Sequence, residues 1–397
     1  MSLGIYISVP FCRTKCSYCN FASDVFSRTV FERYVDRVSL DIAESRRVTE
    51  EIGGRFEREV DSIYLGGGTP TVLEGAHLRR IFDAVRTQFS VQPEAEITVE
   101  CAPGTLSPNV LETLLGCGVN RVSLGVQSLV DGEAAAVGRL HKRTTVIDDI
   151  SRLRASGIAN INIDLIAGLP HQTAASWQES LEQTIATGAP HVSVYMLEVD
   201  DDSRLGRELI AGGTRYHAHF VPDEEAITAF YVAGCERLES EGVAQYEISN
   251  FARRGSESRH NLKYWTRQPY LGFGVDAHSM LTSAHEKMEA VRFATADVLE
   301  KYVAGSPLQR TEISRATALE ESFFLGLRLN RGVELHAIAE RFGQPALEDL
   351  QLAIAELVGN GLLQRGGDRI WLTARGRLFS NEVFQAFLAP VASPIRA

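Results

Sequence analysis

The chain has 397 residues, and 44% of them are hydrophobic, so it is long enough for two or three domains and can bury a sizeable core. Its 40 Lys and Arg against 51 Asp and Glu give a net charge of -11, which repels a phosphate backbone and argues against nucleic acid as the main partner. The six cysteines are too few for a disulfide scaffold of this length. Three of them, at positions 12, 16 and 19, lie so close together that they indicate metal chemistry in a reducing compartment.

The sequence predicts no membrane-spanning segment, because no run approaches the roughly 18 consecutive apolar residues that such a helix needs. The N-terminal residues do not form a basic segment followed by an apolar one, so no secretory signal is predicted. The sequence therefore predicts a cytoplasmic protein, and it leaves a peripheral membrane contact open.

In the first 200 residues, short β-rich segments alternate with longer amphipathic segments. Strands are predicted over Gly4–Val9, Asp61–Leu65, Glu96–Cys101, Arg121–Val126, Asn160–Ile166 and His191–Leu197. Helices are predicted between them, over Val30–Val48, Leu78–Phe89, Ser107–Leu115, Val146–Ser156 and Ser176–Thr187. This alternation predicts an α/β fold in which helices cover a parallel sheet. Six units instead of eight predict an open, partial (β/α)6 barrel with its chemistry at the C-terminal ends of the strands.

The pattern changes twice along the rest of the chain. Residues 215–290 combine a predicted helix, Asp223–Glu241, with irregular, aromatic-rich sequence, and residues 201–310 are predicted to form an extension of the 1–200 barrel. Residues 311–388 are predicted to form an α+β domain that resembles a winged helix. Residues 389–397 are predicted to form a frayed tail. The helices of this domain are predicted over Ala318–Leu329, Leu335–Phe342 and Leu347–Asn360, followed by a hairpin whose return strand is Arg369–Leu372.

The three clustered cysteines, Cys12, Cys16 and Cys19, follow the first predicted strand in a single loop. Structural metal sites close their coordination with four protein ligands, whereas reactive sites leave one position open. Because thiolates are the usual ligands of iron–sulfur clusters, three of them predict a [4Fe–4S] cluster with one open iron. A structural zinc with a distant His or Cys as its fourth ligand is the alternative.

Polar and glycine residues follow several predicted strands at the point where each strand ends. Residues 66–68 are three consecutive glycines, which permit φ > 0 and a close approach of backbone to a ligand, although a plain turn has the same composition. Glu100, Gln127 and Asp164 end the third, fourth and fifth strands. Since the C-terminal ends of parallel strands meet at one mouth, these side chains predict a shared binding site, with ordinary helix capping as the alternative.

Taken together, these motifs resemble the radical S-adenosylmethionine superfamily, and more narrowly the oxygen-independent coproporphyrinogen III oxidase family. The matching segments are Tyr-Ile-Ser-Val-Pro-Phe-Cys at 6–12, Glu-Cys-Ala-Pro-Gly-Thr at 100–105, Gly-Val-Gln-Ser at 125–128, Asp-Leu-Ile-Ala-Gly-Leu-Pro at 164–170 and His-Asn-Leu-Lys-Tyr-Trp at 260–265. The resemblance runs from residue 5 to about residue 388. It implies that the cysteines hold the cluster and that S-adenosylmethionine contacts Tyr6, Gly67, Gly68, Thr69, Glu100, Gln127, Arg139 and Asp164. It also implies that an electron donor reduces the cluster, which cleaves S-adenosylmethionine to methionine and a 5′-deoxyadenosyl radical.

Two features separate the branches of this family, which contains true oxidases and a heme-binding branch of chaperones. The oxidases carry a further Cys where this chain has Phe21, and they have a longer N-terminal extension. Both features favour the heme-binding branch, whose HNxxYW motif matches residues 260–265. The resemblance implies heme as a ligand, with His260 and Tyr264 as candidate contacts and His278 as the next candidate. Ordinary hydrogen-bonding roles for His260 and Tyr264 are the alternative.

The resemblance therefore implies a chaperone that delivers heme to an acceptor, such as a respiratory apoprotein. Coproporphyrinogen oxidation, or another radical reaction on a porphyrin, is the alternative, and oxidase activity is predicted to be absent. This chain departs from the family at Cys101, where Ala is usual, and at Asp276, where a small residue is usual. Cys101 is predicted to be a buried strand thiol near the cofactor mouth. Cys117 and Cys235 have no metal-binding spacing and are predicted to be packed thiols.

Overall fold

A computed structural model describes residues 2–388, so the predicted tail at 389–397 lies outside the described residues. All six predicted strands are present and form parallel neighbours in chain order. They are β1 (Leu3–Val9), β2 (Glu59–Gly67), β3 (Ser90–Cys101), β4 (Arg121–Gln127), β5 (Asn160–Ala167) and β6 (His191–Met196). Sequential parallel order is the order of a barrel, which confirms the predicted α/β class.

The crossovers between these strands are helical, as predicted, with one additional short helix after β4. The helices are α1 (Phe31–Glu51), α2 (Gly75–Gln88), α3 (Pro108–Gly116), α4 (Asp131–Ala136), α5 (Arg143–Ala155) and α6 (Ala174–Ala186). Their starts follow local capping chemistry: the Ser107 hydroxyl accepts a hydrogen bond from the backbone N–H of Val110, and Thr173 forms a capping box with Ser176.

The two faces of the parallel sheet differ in polarity. On β2 and β5, Ile63 and Ile163 face the helices and are at most 1% exposed, within the main hydrophobic core. The alternate residues, such as Tyr64, Asn162 and Asp164, face the concave side of the sheet and line a cavity there. Because side chains alternate between faces along a strand, the helix side is apolar and the barrel lumen is polar.

The helix predicted within residues 215–290 is present, but the rest of this segment is more regular than predicted, and the expectation of irregular structure was wrong. Within the described residues, short strands extend the barrel sheet at both edges to twelve strands. The elements are α7 (Arg204–Ala211), α8 (Glu224–Ser240), β7 (Ala244–Gln245), β8 (Asn250–Ala252), α9 (Arg259–Trp265), β9 (Tyr270–Gly274), β10 (His278–Thr282), β11 (Ala290–Ala294), α10 (Leu299–Val303) and β12 (Gln309–Ile313). Strand β9 pairs in parallel with β1, whereas β7, β8 and β10 to β12 pair antiparallel. Strands of two to five residues leave too little alternation for a sequence pattern to identify.

The C-terminal residues form an α+β unit with a second hydrophobic core. The elements are α11 (Arg315–Gly326), β13 (Val333–Glu334), α12 (Leu335–Phe342), α13 (Gln344–Glu348), α14 (Gln351–Gly359), β14 (Leu363–Gly366), β15 (Arg369–Leu372), α15 (Ala374–Leu378) and α16 (Ser380–Gln385). The predicted hairpin is β14 and β15, and β13 adds a third strand. The third predicted helix is broken into α13 and α14. Among residues 2–388, no helix combines the length and the hydropathy that crossing a membrane requires.

Candidate functional site

A cavity of about 610 Å³ extends from the C-terminal ends of the barrel strands into the polar lumen. It brings together the three clustered cysteines and all the predicted S-adenosylmethionine contacts except Tyr6. The predicted residues on its wall are Cys12, Cys16, Cys19, Gly67, Gly68, Thr69, Glu100, Gln127, Arg139 and Asp164. We call this space the main cavity.

The cysteine loop is held against neighbouring loops by backbone and side-chain contacts. The backbone N–H of Cys12 donates to the carbonyl of Asp24 at 3.0 Å. Thr69 Oγ1 lies 3.9 Å from Cys12 Sγ, and Arg139 Nη1 donates to Cys16 Sγ at 3.5 Å. Burial raises the pKa of the Cys12 thiol.

The donor set fits an iron–sulfur cluster. Cys12, Cys16 and Cys19 are all free cysteines, and all three line the main cavity. Three thiolates facing one cavity suit a [4Fe–4S] cluster, whose usual protein ligands are Cys thiolates. Hydrogen bonds to the cysteine sulfurs, which tune such clusters, are available from Arg139 and Thr69.

The glycine loop packs directly on the cysteine loop. The backbone N–H of Gly68 donates to the carbonyl of Val9, and that of Thr69 to the carbonyl of Phe11, both at 2.7 Å. A Cβ on Gly68 would lie 2.8 Å from the Phe11 oxygen, and Gly67 has φ +98°. Glycine is thus required here both for close approach and for the left-handed backbone.

Glu100 is held at the mouth by two donors. The Tyr64 hydroxyl donates to Oε1 at 2.9 Å, and the backbone N–H of Gly67 donates to Oε2 at 3.1 Å. Burial and the nearby Asp164 carboxylate raise the pKa of Glu100 to about 7, in spite of those two hydrogen bonds. The carboxylate therefore changes charge close to neutral pH.

Asp164, on β5, lies among hydrogen-bond donors, as Glu100 does on β3. Its carboxylate accepts from Ser123 Oγ at 3.0 Å and from Asn162 Nδ2 at 2.7 Å. Burial raises the pKa of Asp164 despite these bonds. Neither Asp164 nor Glu100 forms an ion pair with any described Lys, Arg or His.

The polar groups of the mouth fit S-adenosylmethionine, which carries an ammonium, a sulfonium and a carboxylate. Two carboxylates without a cationic partner suit the positive groups of such a ligand. Arg139 donates from Nη2 to the carbonyl of Gly125, while its Nε–H is buried and has no partner among the described residues. An unpaired guanidinium N–H suits a carboxylate. Gln127 projects into the same cavity from a left-handed backbone with φ 72°.

Tyr6 does not line the main cavity and instead lines a neighbouring second cavity of about 340 Å³, together with Gly67. Its ring centroid is 6.1 Å from that of Tyr64 and 6.4 Å from that of His260. The second cavity shares Phe21 and Gly67 with the main cavity, so the two spaces adjoin.

The HNxxYW segment is helical, and α9 brings His260 and Tyr264 into contact. His260 Nε2 lies 2.8 Å from the Tyr264 hydroxyl, and Nδ1 lies 3.0 Å from Ser62 Oγ. The side chain is 1% exposed, and burial together with Lys263 lowers the pKa of His260 to about 3. In this conformation the imidazole has no free ring nitrogen, while Tyr264 lines the second cavity.

The two departures from the family pattern, Cys101 and Asp276, each line one of the two cavities. Cys101 is 3% exposed, and burial raises the pKa of its thiol to about 11, as expected for a packed strand thiol. Asp276 has φ 54° and lines the second cavity beside His278. Cys117 is buried and Cys235 is partly buried, and both are free thiols.

Sequence reasoning missed the polar residues that lie deeper in the main cavity. His191 Nδ1 lies 2.6 Å from Asn162 Oδ1, and its Nε2 lies 2.9 Å from the Tyr246 hydroxyl. Arg121 is 2% exposed and lines the same space. The signal that would have found them is the two-residue period: Asn162 precedes Asp164 by two positions and therefore faces the same way.

Comparisons with known proteins agree with this architecture. A model of the radical SAM superfamily matches residues 6–184, and a model of the HemN C-terminal domain matches residues 313–379. The E. coli structure of the coproporphyrinogen III oxidase HemN, a radical SAM enzyme, has a TM-score of 0.83 at 22% identity. That likeness covers 97% of this chain and 90% of that chain, and it shows the shared fold.

Similar sequences narrow the family further. The heme chaperone HemW of Bacillus subtilis is 33% identical over 386 residues, which cover 96% of this chain and 98% of that protein. The heme chaperone HemW of Escherichia coli is 29% identical over 395 residues, which cover 98% of each. The chain therefore belongs to the radical SAM superfamily and, within it, to the family of the heme chaperone HemW.

Proposed function

We propose that this chain is a heme chaperone that binds a [4Fe–4S] cluster, S-adenosylmethionine and heme, and delivers the heme to an acceptor protein. The observation that carries the proposal is the full-length similarity to proteins named heme chaperones, at 33% identity over 96% of the chain. Two adjoining cavities, one polar and one aromatic, support it because they offer separate space for cofactor and cargo.

In this proposal the cysteine loop holds the cluster. Cys12, Cys16 and Cys19 supply three thiolates, and Arg139 and Thr69 donate toward two of the sulfurs. When bound, the cluster supplies one-electron reduction of S-adenosylmethionine.

The mouth residues bind and orient S-adenosylmethionine. Glu100 and Asp164 face its positive groups, and Tyr64 and Gly67 fix the direction of the Glu100 carboxylate. The free Nε–H of Arg139 faces its carboxylate. A bound cation stabilises the ionised form of Glu100, so ligand binding near neutral pH is expected to release a proton.

Phe21 favours the chaperone over the oxidase. In the resemblance described above, the oxidases carry a Cys at this place, whereas here a phenyl ring is 65% exposed between the two cavities. An exposed ring at that position offers apolar contact to a porphyrin but no thiol for chemistry.

The proposed partners are an electron donor for the cluster and a heme-accepting apoprotein of the respiratory chain. We propose that the chain works in the cytoplasm, where thiolate ligands stay reduced. The chain makes peripheral contact with a membrane only where its acceptor is embedded in that membrane.

The experiment that tests the proposal is a delivery assay. Heme-loaded protein is mixed with a heme-free respiratory acceptor, and recovery of the acceptor's activity is compared with recovery from the same amount of free heme. Faster or more complete recovery from the loaded protein is expected. Failure to bind heme, or recovery no better than from free heme, contradicts the proposal.

A further inference from the structure

The second cavity has walls that suit a flat, conjugated ligand. It lies beside the neighbouring strands β1 and β9, and its aromatic walls are Tyr6, Phe21, Tyr264 and Tyr270. The Tyr264 and Tyr270 centroids are 4.7 Å apart with the rings nearly perpendicular, so the wall presents both an edge and a face. Aromatic side chains of this kind bury large planar ligands with directional ring contacts.

An accessible imidazole stands at the mouth of this cavity. His278 begins β10, and its side chain is 70% exposed. Among residues 2–388 its ion-pair partner is the Asp276 carboxylate, whose Oδ1 lies 3.7 Å from Nε2. Among residues 2–388 the ring makes no hydrogen bond, so a nitrogen is free for a ligand. Metal-binding histidines usually have such a carboxylate beside the second ring nitrogen.

His260 is unsuited to the same role in this conformation. Both of its ring nitrogens are occupied, by Ser62 and Tyr264, and its backbone N–H donates to Glu96 Oε1 at 3.1 Å. Ser62 and Glu96 hold His260 in place, and His260 in turn contacts the Tyr264 hydroxyl. The HNxxYW helix therefore contributes a wall, and His260 is a positioning residue for it.

We propose that the second cavity is the heme site and that His278 is the axial ligand of the heme iron. This inference rests on the proposed function, because it assumes that heme is the cargo. A volume of about 340 Å³ is at the small end of ligand pockets and encloses only part of a porphyrin. Partial enclosure suits a cargo that must leave again, and the shared Phe21 and Gly67 bring the heme beside the main cavity.

The test is a hemin titration of the anaerobically reconstituted protein, followed by absorption and electron paramagnetic resonance spectra. His278→Ala is expected to weaken heme binding at least tenfold and to shift the Soret band. His278→Cys is expected to replace the imidazole spectrum by that of a thiolate-ligated heme. The matched control is His336→Ala, because His336 is 73% exposed in the C-terminal unit, far along the chain from the cavity, and its loss is expected to change nothing.

A second pair of variants separates the ligand from the wall. His260→Ala is expected to lower heme affinity through the loosened Tyr264 ring while the axial-imidazole spectrum persists. Phe21→Glu is expected to weaken binding in the same way, because it places a charge on the apolar edge of the cavity.

The outcomes distinguish this inference from the function on which it rests. Absence of heme binding in the unaltered protein contradicts both the heme site and the chaperone function. Normal heme binding with unchanged affinity and spectra in His278→Ala overturns the heme site alone and leaves the chaperone function standing. Loss of the imidazole spectrum in His260→Ala, with His278→Ala unaffected, likewise overturns it and moves the ligand into α9.

Discussion

At the scale of single residues, the main cavity depends on charges that have no partner of their own. Glu100 and Asp164 meet at the mouth with hydrogen-bond donors around them but no described cation paired to either. A carboxylate in that position is more costly to ionise than one in water, and a positively charged ligand removes the cost. Binding of S-adenosylmethionine at this site is therefore expected to be coupled to the protonation of Glu100.

This coupling predicts the pH dependence of S-adenosylmethionine affinity. The pKa of Glu100 is about 7 in the free protein, so affinity is expected to rise with pH through about 7 as the carboxylate ionises. Glu100→Gln is expected to weaken binding about 10- to 100-fold at pH 8, since losing a charged partner costs about 1–3 kcal/mol, and to flatten the profile. Calorimetry at several pH values measures both effects.

The same residue gives an opposite effect on stability. The pKa of Glu100 in the folded protein lies above its ordinary value of 4.5. Protonated Glu100 therefore adds to the free energy of unfolding in full below about pH 4.5, and this contribution is lost as pH rises through about 7. Glu100→Gln is therefore expected to raise the melting temperature of the ligand-free protein at pH 8. A variant that binds normally and melts at the same temperature contradicts this account of the mouth.

The cysteines give a second prediction at this scale. Cys12→Ser, Cys16→Ser and Cys19→Ser are each expected to abolish cluster assembly, because each removes one of the three thiolates that face the main cavity. Cys117→Ser and Cys235→Ser are the controls and should retain full loading, since neither side chain lines that cavity. Iron and sulfide content after anaerobic reconstitution measures this, and full loading in Cys16→Ser contradicts the assignment.

At the scale of elements, the glycine loop after β2 sets the position of the cysteine loop after β1. Gly68→Ala is expected to destabilise the protein and to lower cluster loading, because its Cβ would lie within 3 Å of the Val9 and Phe11 carbonyl oxygens, which are backbone atoms. The matched control is Gly132→Ala in α4, where the Cβ meets open space, and its stability is expected to stay equal or to rise by up to about 1 kcal/mol. Unaltered cluster loading and stability in Gly68→Ala would show that the two loops are not coupled.

The barrel could be predicted from sequence because its strands are long and bounded by turn residues. The order of motifs at strand ends also predicted which side chains meet at the mouth, since parallel strands end on one side. The edge strands, such as β7 and β8, could not be predicted, because two or three residues show no period and their pairing depends on distant chain. The position of Tyr6 in a separate cavity depends on β9 lying beside β1, a neighbour that no local pattern reveals.

At the scale of the whole molecule, a charge cluster around the buried Glu321 joins the C-terminal unit to the barrel sheet. Glu321 on α11 is 2% exposed and pairs with Arg267 at 2.9 Å and with Arg292 of β11 at 2.7 Å. Glu321→Ala is expected to cost about 3–5 kcal/mol, because it leaves the buried guanidinium of Arg267 without its carboxylate. Denaturant unfolding measures the cost.

The matched control for this cluster is an exposed ion pair. Glu44→Ala removes a surface partner of Arg47, both of them well exposed, and should change stability by less than about 1 kcal/mol. Equal midpoints for Glu321→Ala and Glu44→Ala would mean that the buried cluster does not hold the C-terminal unit in place.

The central claim is that a radical SAM fold serves here to carry heme and not to oxidise coproporphyrinogen III. The most direct test measures both properties on one sample of anaerobically reconstituted protein, with reductant and S-adenosylmethionine present. The account predicts stable binding of heme and no conversion of coproporphyrinogen III to protoporphyrinogen, because the family resemblance implies a cysteine in the oxidases at the place of Phe21. Turnover of coproporphyrinogen III by that sample would contradict the account.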